Sequence, residues 1–138
     1  MIEYITISQK PKNGAIQYSL SKNYGYIAIV NISVCGIQFD AERYDVLNVV
    51  VDEIDKTSDN PNRCISSLLL NDKNQYFYER EYNHIKWQKF DSSGKQLNIS
   101  FYDEHYDLYN FHFRQMCFDE IQITLALLPE NTKWIEKL

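Results

Sequence analysis

The chain has 138 residues, 44% of them hydrophobic and 24% charged, with only four Gly and three Pro. That balance suits one globular domain with its own core and excludes a disordered chain. The net charge is −5, and an acidic surface repels nucleic acid, so direct DNA or RNA binding is disfavoured.

Taken in chain order, Ile2–Ser8 alternates, with Ile5 and Ile7 on one face and Ile2, Tyr4 and Thr6 on the other. Lys12-Asn13-Gly14 is a turn signal, and Ala15–Leu20 resumes as a strand. Tyr26–Val34 is apolar on both faces and rich in β-branched residues, the pattern of a central strand. Gly36 marks a bulge or bend before Ile37–Phe39.

Residues 41–56 read as an amphipathic helix. Tyr44, Leu47, Val50, Val51 and Ile54 follow helical spacing, while Glu42, Asp45, Asp52 and Glu53 fall opposite. Asp40 is placed to cap its N-terminus. The run of valines argues for a strand, but a strand would put Asn48 and Asp52 on the face of Val46, Val50 and Ile54. Thr57–Asn62 then forms a loop. Cys64–Leu70 fits a short strand or a short helix, Asn71–Asn74 a turn, and Tyr76–Tyr82 a strand.

The second half reads as a meander. Ile85–Phe90 leads to a turn at Asp91-Ser92-Ser93-Gly94, and Leu97, Ile99 and Phe101 alternate on the next strand. Asp103–Asp107 reverses the chain before Tyr109, Phe111 and Phe113 alternate in turn. Ile121, Ile123, Leu125 and Leu127 form the last strand, stopped by Pro129, with residues 130–138 as a short terminal helix. The expected fold is therefore one α+β domain over residues 1–138: a mainly antiparallel sheet with the 41–56 helix packed on it.

Three cysteines, Cys35, Cys64 and Cys117, form no CxxC pair, so they fit buried free thiols and not a secreted disulfide scaffold. The N-terminus has no signal-peptide pattern, and the apolar runs are too short for a membrane span. A reducing, cytoplasmic location is expected.

The densest chemistry lies at 102–113, YDEHYDLYNFHF. Asp103, Glu104, His105 and Asp107 are metal-ligand types, but a solvated turn explains them better, and no metal or cofactor is expected. His105 and His112 with Arg114 are the alternative catalytic group, Arg114 holding an anion while a histidine moves a proton. His84 is a further candidate, and Asn110 shares the strand face of His112 and Arg114. No nucleophile elbow or glycine-rich phosphate loop accompanies them.

Charge layout favours recognition instead. Residues 40–59 carry seven acids against two bases, and residues 102–120 five acids against one. Tyrosine offers contact area at low entropic cost, and carboxylates steer and pair with a basic partner. The expected binding residues are Glu42, Asp45, Asp52, Glu53, Tyr102, Asp103, Glu104, Tyr106 and Asp107.

Small, acidic, tyrosine-rich, and heavy in Asn and Ile, the chain resembles the immunity proteins of bacterial toxin systems, such as contact-dependent growth-inhibition pairs. The resemblance implies a non-catalytic inhibitor that binds a basic cognate toxin domain, often a nuclease, and masks its active site.

Overall fold

A computed structural model describes residues 2–9, 15–35, 46–70, 76–77, 86–102 and 120–131. Nine strands are present among them: β1 (Glu3–Gln9), β2 (Ala15–Ser19), β3 (Tyr26–Cys35), β4 (Val46–Val51), β5 (Cys64–Leu70), β6 (Tyr76–Phe77), β7 (Gln88–Lys89), β8 (Gln96–Tyr102) and β9 (Glu120–Leu128). They form two antiparallel sheets, ordered β1-β9-β3-β7 and β2-β8-β4-β5-β6. Both sheets contribute to one hydrophobic cluster. Within β8 and β9 the expected alternation holds: Leu97, Ile99 and Phe101 are buried, as are Ile121, Ile123, Leu125 and Leu127.

The expectation of an α+β fold is overturned. No helix occurs among the described residues, and the described part of 41–56 is strand, turn and bridge. Leu47, Val49 and Val51 point into the core, and Val50 is buried on the other face, so β4 is apolar on both sides as a central strand should be. The polar residues that argued for a helix are accommodated in two ways. Asn48 is only 4% exposed, but its side-chain oxygen accepts a 2.6 Å hydrogen bond from the Ser67 hydroxyl on β5. Asp52 lies past the strand end, in a turn with Glu53, so it shares no face with the valines. With those costs removed, the β-branched preference for extended backbone decides the outcome. Residues 40–45, including Asp40 and Tyr44, lie outside the described residues.

Cys64–Leu70 is a strand, with one extra residue opposite the Val49–Val50 step of β4. A second irregularity places Val30 as an extra residue on β3 against β9. It switches the inward set from Ile27 and Ile29 to Ile32, as a bulge does when it shifts a period of two by one. The turn at Asp91–Gly94 is present, closed by Lys95 N–H donating to the Ser92 carbonyl at 2.8 Å. The last strand ends at Leu128, before Pro129, and residues 130 and 131 are turn. The expected elements at Lys12–Gly14, Gly36–Phe39, 71–74, 78–82, 103–113 and 132–138 lie outside the described residues. Among the described residues, no helix is long and apolar enough to cross a membrane.

A buried polar junction adds to the shared core in tying the sheets together. The buried Ser92 hydroxyl donates to the Tyr24 carbonyl and accepts from the Tyr24 N–H at 2.7 Å. Next door, Gly25 N–H donates to the Leu128 carbonyl at 2.8 Å, and Phe90 N–H donates to the Gly25 carbonyl at 3.0 Å. A side chain at Gly25 would place its Cβ 2.5 Å from the Glu130 Cα, inside any tolerable contact. Two outcomes follow for urea denaturation. Ser92→Ala strands two buried backbone groups and lowers stability by about 1–3 kcal/mol. Gly25→Ala forces backbone apart and costs about 1–3 kcal/mol. An unchanged midpoint in either variant contradicts this account of the junction.

Candidate functional site

The turn after β4 opens into a cleft of about 510 Å³ lined by Asp52, Glu53, Ile54, Asp55, Lys56, Arg63 and Asp91. Its walls are fixed by backbone. Asp52 N–H donates to the Asn98 carbonyl at 3.0 Å, and Asp91 N–H to the Glu53 carbonyl at 2.8 Å. Asp55 N–H donates to the Lys89 carbonyl at 2.9 Å, and Ile54 forms an antiparallel bridge with Phe90. The turn is thus stitched to β8 on one side and to the 89–91 segment on the other.

Glu53 is oriented by a single residue. One carboxylate oxygen accepts from the Asn98 backbone N–H at 2.6 Å, and the other from the Asn98 side-chain amide at 2.9 Å. Opposite, Asn60 organises the loop before β5. Its carboxamide pairs with both the N–H and the carbonyl of Cys64, at 2.9 and 2.8 Å. Arg63, held in this loop at φ 56°, therefore reaches the cleft from a constrained backbone; such a left-handed conformation in a residue with a Cβ is uncommon.

Four carboxylates thus face two cations. Among the described residues, Asp52, Asp55, Lys56 and Arg63 form no ion pair. Asp52, Asp55, Lys56, Arg63 and Asp91 are exposed, so their charges are screened by water. Asp91 accepts from the Ser93 N–H at 2.9 Å. That backbone bond, then the Ser93 hydroxyl, holds its carboxyl below the usual carboxylate range, so it is ionised at neutral pH.

Of the expected binding residues, Asp52 and Glu53 lie in this cleft. Tyr102 does not: it pairs with Asn48, while Val51, just before Asp52, pairs with Ile99. At the strand rise, that separation is roughly 13 Å along the sheet. Glu42, Asp45, Asp103, Glu104, Tyr106 and Asp107 lie outside the described residues. So do His105, His112 and Arg114, the alternative catalytic group, and the further candidates His84 and Asn110. Among the described residues, no group of three or more His, Cys, Asp or Glu is placed to hold a metal ion.

Asp55, Lys56, Arg63 and Asp91 line the cleft but were not among the expected binding residues. Asp91 reads in sequence as a turn residue, and the Ile54–Phe90 bridge that brings it to Asp52 has no local signal. Comparison with family models, with curated proteins and with solved structures finds no match.

Acid sensitivity follows from Asp91. A carboxyl lowered in the folded state stabilises the fold at pH values above its unfolded pKa and loses that contribution as pH falls through the folded pKa. Stability should decline into the acid range, and Asp91→Asn should flatten part of that decline. Urea midpoints recorded from neutral to acidic pH check this; parallel curves for the two proteins contradict it.

Proposed function

We propose that this chain is a non-catalytic binding protein that receives a basic protein surface in the cleft of Asp52, Glu53, Asp55 and Asp91. The observation that carries the reading is the set of four carboxylates on a backbone-braced cleft, with Asp52 and Asp55 in no ion pair among the described residues. Exposed carboxylates that keep their charge raise the encounter rate with a basic partner. Backbone bracing spares the loop-ordering cost that association otherwise carries. Lys56 and Arg63, within the same cleft, favour a partner that sets an acidic group among its basic ones, which gives discrimination among basic proteins.

The immunity protein of a bacterial toxin system, working in the cytoplasm against a basic toxin domain, is the class that this surface suits. Inhibition would come from covering the toxin's active site, with no chemistry performed by this chain.

Calorimetry with the toxin domain encoded beside this gene is the direct test. A complex with dissociation constant below micromolar is expected, weakening as salt rises. Asp52→Asn with Asp55→Asn should weaken it about tenfold, chiefly through the association rate. Absence of a complex at micromolar concentrations, or binding indifferent to both salt and the double variant, rejects the proposal.

A further inference from the structure

β1 ends its sheet: among the described residues it pairs with β9 on one side and with no strand on the other. Edge strands expose a row of backbone donors and acceptors, and proteins usually guard them with charges, proline, bulges or short length. β1 has little of this protection. It is seven residues long, pairs with β9 in unbroken register from Glu3 to Gln9, and runs Tyr-Ile-Thr-Ile-Ser through its centre with no charge and no proline. Tyr4, 58% exposed, is the exposed large hydrophobic residue among those described. Ile5 faces the core yet is only half-buried, whereas Ile7 is fully buried, as expected beside an open edge.

The charge at the end of the strand is neutralised. Glu3 bonds to the Lys22 ammonium at 2.6 Å, and Lys22 also sits 5.6 Å from the centre of the Tyr24 ring. The Lys22 bond lowers the Glu3 carboxyl pKa, so this pair persists at neutral pH. In a chain of net charge −5, two copies meeting along the uncharged centre of β1 bring no carboxylates together.

We propose that β1 pairs antiparallel with β1 of a second copy, joining the two β1-β9-β3-β7 sheets across a twofold axis. The strand is self-complementary in this arrangement. Centred on Thr6, the twofold sets Thr6 against Thr6 and Tyr4 against Ser8. Hydroxyls both donate and accept, so like residues can pair across a symmetry axis where carboxylates cannot. Backbone hydrogen bonds supply the attraction, as in other strand-addition contacts. The inference is independent of the acidic cleft, which lies at the turn after β4.

Sedimentation velocity across micromolar to millimolar concentrations tests it. A monomer–dimer equilibrium is expected, strengthened by salt because the bulk repulsion is then screened. Thr6→Lys makes the net charge less negative, which eases general repulsion, but places two ammonium groups opposite each other on the axis. It should weaken the dimer roughly tenfold. Ser58→Lys, an exposed site in the loop before β5 with the same charge change, should not weaken it. Amide hydrogen exchange at residues 4–8 should slow as concentration rises. A monomer throughout the range, a dimer indifferent to Thr6→Lys, or exchange at 4–8 independent of concentration each overturns the proposal.

Discussion

Beneath their shared hydrophobic cluster, the two sheets are also linked through backbone atoms of Tyr24 and Gly25. Ser92 supplies both a donor and an acceptor to Tyr24, as a neighbouring strand would, while Gly25 bonds to Leu128 and Phe90. The chain at 88–92 leaves β7 in one sheet for β8 in the other. Fixing it here places Phe90 against Ile54 and Asp91 beside Glu53. The cleft's shape is therefore a consequence of this junction. A buried hydroxyl with both roles satisfied is inexpensive; left half-satisfied, it would cost more than an apolar replacement.

The charges of the cleft and its scaffold are handled differently. Glu53 is held by Asn98 and Asp91 by Ser93, so these two carboxylates have fixed positions. Asp52 and Asp55 are fixed only through their backbone. Exposed side chains on a rigid backbone retain rotamer freedom while their mean position stays defined. That combination suits long-range attraction first and close pairing second.

Much of the strand content was legible. Leu97, Ile99 and Phe101, and Ile121 through Leu127, alternate with period two because one face is core and the other is less buried, and that contrast is written directly in the residues. β4 was not legible, for an opposite reason. A strand buried on both faces loses its period, and a chance helical spacing of Leu47, Val50, Val51 and Ile54 took its place. What makes Asn48 tolerable inside is the Ser67 hydroxyl, nineteen residues away, a pairing that no window on the sequence contains. The same limit explains the site. Asp52 and Glu53 stood out only as part of the acidic face of a helix that does not form, Arg63 and Asp91 join them through long-range pairing, and Tyr102 is set against Asn48 by a register that local patterns do not encode.

The pairing of β1 with β9 has a consequence for how the molecule is made. Residues 3–9 find their partners at 121–127, so the first strand emerges from the ribosome well before its neighbour exists. At about 5–20 residues per second, the wait is on the order of 6–25 seconds. Except for the β4–β5–β6 run, consecutive strands also alternate between sheets, which leaves few local hairpins to form early, and folding dominated by distant contacts is slow. During synthesis both edges of β1 are open, and its uncharged centre needs shielding until β9 is made.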